Sequence, residues 1–317
     1  MQEFTIGKNE AGQRLDKYLG RILKEAPVSF FYKMMRKKNI VLNGAKCTGK
    51  EQLCIGDSVK LFLSDDTIEK FGGSKNAQDT GRAYPYKKLD IVYEDDDVIF
   101  VNKPSGMLTQ KAAPTDVSLN EYIIGYLLHE KKIDEAQLRT FKPSVCNRLD
   151  RNTSGLVLAG KSMNGSRELS KMIKERTLEK YYITAVKGKV EHDSSVCGLL
   201  IKDEASNKVS VRPLKEDTVA KSDERYIRTD YHVIGYGDDY TVLEVHLITG
   251  RPHQIRAHLA MLGHPVLGDF KYGDRKINEK YKLKDQLLHA YRIVLPDKRE
   301  YKAAIPNRLY EFTKNIL

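Results

Sequence analysis

Residues 64–88 interrupt the hydrophobic patterning of this chain. Gly72-Gly73-Ser74-Lys75-Asn76-Ala77-Gln78 lies within that stretch, a run of polar and turn-forming residues that reads as a flexible linker. A chain broken there folds as two units, residues 1–63 and residues 89–317. Its 317 residues suffice for one large or two modest domains with at least one well-buried core.

The first unit is compact and basic, with twelve Lys and Arg residues against six Asp and Glu. Leu15, Tyr18, Leu19 and Ile22 recur at helical spacing, as do Phe31, Met34 and Met35. Ile40-Val41-Leu42 reads as a strand entering an Asn43-Gly44 turn, and Gly56-Asp57 precedes a second strand over 58–61. Basic residues fill the gaps, among them Arg14, Lys17, Arg36, Lys37 and Lys38. Across the whole chain 54 Lys and Arg face 43 Asp and Glu, a net charge of +11. That balance favours an anionic partner, a nucleic acid or an acidic membrane surface. A plain solvated surface would show the same charges.

The second unit alternates short β-rich segments, at 98–101, 156–159, 181–186 and 242–247, with helices near 165–176 and 253–262. This is an α+β pattern with a mixed or antiparallel sheet; no βαβ repetition and no internal repeat is visible. The opening Met1-Gln2-Glu3-Phe4 lacks a secretory pattern, and no apolar run reaches the roughly 20 residues of a membrane span. A soluble cytoplasmic protein with no membrane partner is expected. The four sparse cysteines suit a reducing compartment and form no close metal-ligand pair.

Three patterns are set aside. Gly44-Ala45-Lys46-Cys47-Thr48-Gly49-Lys50 approaches a nucleotide phosphate loop, but Glu51 stands where a magnesium-binding hydroxyl is required. His246, His253, His258 and His264 lack zinc-site spacing, and Ser154 lacks the flanking glycines of a nucleophile elbow. No metal is expected.

Three segments carry groups suited to chemistry. Asn147-Arg148-Leu149-Asp150-Arg151-Asn152-Thr153-Ser154-Gly155 runs from a charged turn into an apolar strand, which can hold one carboxylate at the rim of a sheet. A surface salt-bridge cluster of Arg148, Asp150 and Arg151 is the competing explanation. In Thr249-Gly250-Arg251-Pro252-His253-Gln254-Ile255-Arg256, a tight turn leads into a helix; Arg251 can address phosphate, and Arg256 can reach inward to a carboxylate. Alternation along 180–184 puts Lys180, Tyr182 and Thr184 on one strand face. Lys103 follows the strand at 98–101 and adds a positive charge beside a tight turn, as a phosphate contact or local support. These residues describe a basic RNA- or phosphate-handling protein and do not by themselves select a reaction.

The segment 147–155 resembles the His-Arg-Leu-Asp-x-x-Thr-Ser-Gly motif of the RluA-type pseudouridine synthases. Further matches follow in that family's order: Asn102-Lys103-Pro104-x-Gly106, Lys180-x-Tyr182 with Gly188, and Thr249-Gly250-Arg251-x-His253-Gln254-Ile255-Arg256. Gly263-x-Pro265-x-x-Gly268-Asp269, Tyr272-Gly273 and Leu288-His289-Ala290 complete the series, and Arg14-Leu15-Asp16-Lys17-Tyr18-Leu19 resembles an N-terminal S4 domain. The resemblance implies a pseudouridine synthase fold preceded by a small α/β S4-like RNA-binding domain. It implies Asp150 as catalytic carboxylate, Tyr182 as active-site tyrosine and Arg256 as partner of Asp150. RNA contacts then fall to Lys103, Arg148, Arg251, Arg14, Lys17, Arg36, Lys37 and Lys38. No cofactor is implied, and a monomer is expected. The Gly-Arg-Pro-His-Gln-Ile-Arg-Ala-His form resembles synthases of 23S large-subunit ribosomal RNA; transfer RNA, or a non-catalytic role in ribosome assembly, are the alternatives. Asn147 departs from the motif's histidine and puts a non-titrating amide there.

Overall fold

The computed structural model describes residues 1–72, 83–135, 137–203, 208–214 and 220–316. The N-terminal unit is a four-stranded sheet of order β1-β4-β2-β3, built from β1 (Gln2–Thr5), β2 (Ile40–Leu42), β3 (Ala45–Lys46) and β4 (Ser58–Leu61). Two amphipathic helices, α1 (Leu15–Ile22) and α2 (Val28–Arg36), cover it, burying Leu15, Tyr18, Leu19, Phe31 and Met35. Asn43 and Gly44 both take positive φ in the β2–β3 turn, as the tight hairpin demands.

The expected linker is corrected at its start. Asp65–Gly72 form a helix, α3, because Ile68 and Phe71 insert into the N-terminal core and Phe71 packs against Phe30 with ring centroids 4.8 Å apart. Within the expected linker, residues 73–82 lie outside the described residues. Beyond them Tyr86 stacks on His129, and Lys142 Nζ donates to the Tyr84 hydroxyl (3.0 Å), so 84–86 lie against the second unit.

That second unit is organised on one mixed sheet of order β11-β10-β12-β13-β9-β14-β8-β6-β5, with β15 beside β14 and β7 beside β8. The strands are β5 (Ile91–Glu94), β6 (Val98–Lys103), β7 (Ser144–Val145), β8 (Ser154–Gly160), β9 (Glu179–Lys187), β10 (Ser194–Asp203), β11 (Lys208–Pro213), β12 (Arg225–Tyr236), β13 (Tyr240–Leu247), β14 (Leu288–Val294) and β15 (Glu300–Lys302). Among the described residues only the β8–β14 pair is parallel. The helices are α4 (Leu119–His129), α5 (Gln137–Thr140), α6 (Met163–Glu175), α7 (Gln254–Met261), α8 (Arg275–Lys280) and α9 (Asn307–Thr313). The fold is therefore α+β.

Alternation along β9 gives the sheet two cores. Tyr182 joins Val157, Val245, Ile255, Leu259 and Leu288 on one side, and Ile183 meets Leu309 and Phe312 of α9 on the other. β8 is buried throughout and lies between β14 and β6, so the loop before it, which carries Asp150, is anchored by a fully buried strand. No described helix is long and apolar enough to cross a membrane.

Candidate active site

A cleft of about 830 Å³ opens over the loops that precede β8 and α7. Asp150 lies in its wall. Thr109 fixes the loop from one side, accepting from Leu149 N (3.2 Å) and donating to Leu149 O (2.8 Å). From the other side Gln286 donates to the Thr153 hydroxyl (2.7 Å). Asn147 grips β8 itself: its Nδ2 donates to Leu156 O (3.2 Å) and its Oδ1 accepts from Leu158 N (2.8 Å). A neutral amide serves this two-way backbone bridge directly, since it offers one donor and one acceptor group.

Arg256 comes from α7, whose approach is set by a tight turn. His253 takes φ 51° just before the helix, and Gln254 ties the turn by accepting from Thr249 Oγ1 (2.8 Å) and Arg251 N (3.1 Å). The Arg256 side chain is consequently buried. Its Nη1 donates to Asp150 Oδ2 (2.6 Å), and its Nε and Nη2 donate to Asp269 Oδ2 (2.7 Å) and Oδ1 (2.9 Å). Asp269 Oδ1 also accepts from Lys271 N (2.8 Å) and Tyr272 N (3.1 Å). Despite the opposing cost of burial, these donors hold the Asp269 carboxyl below the usual carboxylate range.

Tyr182 rises from β9 into the same cleft. Burial first, and then the charge of Asp150, push its phenol above the ordinary value. His253 stands nearby, with Nε2 4.0 Å from Asp150 Oδ1 and Nδ1 2.8 Å from the Tyr272 hydroxyl. Burial lowers its pKa. The four histidines go to separate partners: His246 stacks on Tyr181, His258 meets Thr229 Oγ1 and His264 meets Lys187 O. Among the described residues no three His, Cys, Asp or Glu side chains converge.

Lys103 requires a correction. Of the two roles expected for it, phosphate contact or local support, the first fails: it is 0% exposed, and its Nζ donates to the carbonyls of Pro104 (2.9 Å), Met107 (2.9 Å) and Arg151 (3.0 Å). Burial lowers its pKa to about 8, and three carbonyls receive the three ammonium protons. Lys103 braces the Asp150 loop from beneath and does not reach RNA. Arg148 and Arg251 are exposed at the cleft. Lys17, Arg36, Lys37 and Lys38 are exposed on the N-terminal unit, whereas Arg14 is engaged by Asp16 (2.7 Å). The loop resembling a nucleotide site is closed from within, because Glu51 accepts from Thr48 N and Gly49 N (each 2.7 Å).

Residues 97–261 match the family described as RNA pseudouridylate synthase. The chain belongs to the RNA pseudouridylate synthase family. It is 30% identical to "Ribosomal large subunit pseudouridine synthase C" of Vibrio vulnificus over 303 residues, covering 92% of this chain and 88% of that protein. An uncharacterized RNA pseudouridine synthase of Bacillus subtilis is 27% identical over 319 residues, covering 99% and 97%. The structure titled "Human RNA Pseudouridylate Synthase Domain Containing 4" superimposes with a TM-score of 0.59 at 18% identity, over 71% of this chain and 92% of that one. It shares the fold. Family membership makes the chain an isomerase and places the cleft geometry in an RNA-modifying enzyme.

The Gly268-Asp269 motif does not by itself assign Asp269 a role. A signal was present: an arginine directed into the protein needs a buried carboxylate of its own, and Gly268-Asp269 supplies one.

Proposed function

We propose that this synthase isomerises uridines of large-subunit ribosomal RNA to pseudouridine, with Asp150 as its catalytic carboxylate. The observation that carries this reading is the Asp269–Arg256–Asp150 chain, which ends with Asp150 open to the cleft beside Tyr182. The N1–C1′ bond breaks, the uracil turns and C5 bonds to C1′; the C5 proton leaves and N1 regains one. Asp150 acts at the ribose, by attack at C1′ or by proton removal in an elimination. Arg256 keeps it aimed, donating from Nη1 to Oδ2. Tyr182, a neutral phenol in its buried setting, supplies a ring face for the base and a hydroxyl for the C5 proton transfer.

The target base must leave its stack to enter the cleft, at a cost of a few kcal/mol that is smaller in loops. Several relatives bear the name of ribosomal large-subunit synthases, which supports that RNA as substrate. In the same reading the N-terminal unit is an S4-like RNA-binding domain, supported by its two short helices and the exposed Lys17, Arg36, Lys37 and Lys38. Tritium release from RNA carrying 5-tritiated uridine tests the chemistry: Asp150→Asn should bind RNA as the parent does and release nothing. Normal release by that variant overturns the assignment. Comparing ribosomal pseudouridine maps from cells with and without the gene tests the substrate.

A further inference from the structure

The cleft holds an imbalance that the Asp150 chemistry does not use. Among the described residues Asp150 is the only acid lining it, and Arg256 already engages that group. Against it stand Lys174, Arg176, Lys180 and Arg251, contributed by α6, the turn after it, β9 and the loop before α7. Among the described residues none of these four side chains has a hydrogen-bond or ion-pair partner.

Lys180 is the informative member. It is half-buried, and a Cβ placed on Gly250 would lie 3.6 Å from its Nζ, so the ammonium rests over the Gly250 turn. Gln254 pins that turn through Thr249 and Arg251, and the exposed Arg176 lines the same cleft from the C-terminal end of α6. Burial, and then the charge of Arg176, lower the pKa of Lys180. Folding thus keeps two like charges near one another and partly removes one from water, an arrangement whose cost an anion would offset.

We propose that Lys180 and Arg176 form a phosphate subsite, which holds a phosphodiester of the RNA strand next to the nucleotide seated at Asp150. The inference rests on the RNA substrate proposed above. Lys180 lies two residues from Tyr182 on the same face of β9, so a phosphate held there fixes the strand relative to the ring that receives the base. The contact carries no base information; it sets register.

The test uses the full chain and its Lys180→Gln and Lys180→Arg variants, titrated with a short fluorescent oligouridylate and with deproteinised ribosomal RNA across potassium chloride concentrations. Lys180→Gln should weaken binding about tenfold and lower the salt slope by about one, with Arg restoring both. Its melting temperature should hold or rise, since an unpartnered, half-buried charge is removed. Unchanged affinity and slope overturn the subsite, as does a melting temperature that falls with no change in slope. Tritium release separates the two readings. Turnover by the parent with an unaltered Lys180→Gln slope removes the subsite alone; no turnover with the expected slope change removes the reaction and keeps the subsite.

Discussion

Arg256 sits between two carboxylates that are not equivalent. The Asp269 side chain is 0% exposed and takes two of the guanidinium nitrogens, whereas Asp150 is 27% exposed and takes one. The buried partner anchors the arginine, and the free edge of the guanidinium then orients the carboxylate that faces substrate. Asp269→Ala leaves Arg256 buried with two of its three side-chain hydrogen bonds unmade, and breaking such a pair costs about 3–5 kcal/mol. Urea unfolding should show that loss, and tritium release at saturating RNA should fall with it; a variant of parental stability would show that Asp269 is dispensable. The pH dependence has a definite sign. Because Asp269 is held below the ordinary range, its stabilisation is complete above an unfolded aspartate's pKa and is lost as pH falls through the folded value. Asp269→Ala should therefore flatten the acid limb of the stability profile. Sequence spacing made the inward reach of Arg256 legible, but only the fold shows Asp269 behind it. Sequence leaves the two roles of Lys103 undecided for a related reason: charge and a neighbouring turn look alike whether an ammonium meets phosphate or three carbonyls.

At the scale of elements, the site depends on how closely β8 approaches β14. Gly155 has φ 114°, and a Cβ there would lie 2.3 Å from Ala290 O, a contact with backbone that no side-chain movement relieves. Its neighbour Ser154 faces His289 Nδ1 at 2.8 Å across the same parallel pair. Gly155→Ala should push the strands apart, lowering the urea midpoint by an amount equivalent to about 1–3 kcal/mol and reducing turnover through the displaced Asp150 loop. Parental values of both would show that the strands separate freely. Strands β6, β8, β9 and β13 and helices α6 and α7 were readable because their apolar residues run continuously or at helical period. Helix α4 was not, since it is apolar on nearly every side; the Ser118–Glu121 capping box was its one local signature. The expected linker hid α3 because eight residues with only Ile68 and Phe71 inward carry little periodicity outside their tertiary setting.

Across the whole molecule, the N-terminal unit is tied to the synthase unit by a few polar contacts. Arg21 donates to Thr140 O (2.7 Å), Thr140 Oγ1 donates to Glu10 (2.5 Å), and Arg167 donates to Gly12 O (2.5 Å). None of these residues belongs to the exposed basic set, so one group of side chains joins the units while Lys17, Arg36, Lys37 and Lys38 stay open to solvent. No sequence pattern indicates contacts between residues over a hundred positions apart. The division of labour makes a prediction about charge without disturbing the joint. Replacing Lys17, Arg36, Lys37 and Lys38 together by Gln removes four exposed cations that support no packing. Melting temperature should stay where it is, because exposed charges contribute little to stability. If the unit docks structured RNA, affinity for ribosomal RNA should fall and the salt slope should drop by about three to four, while turnover at saturating RNA persists. An unaltered salt slope would leave the cleft cations alone to account for RNA binding, and the N-terminal unit would need another partner.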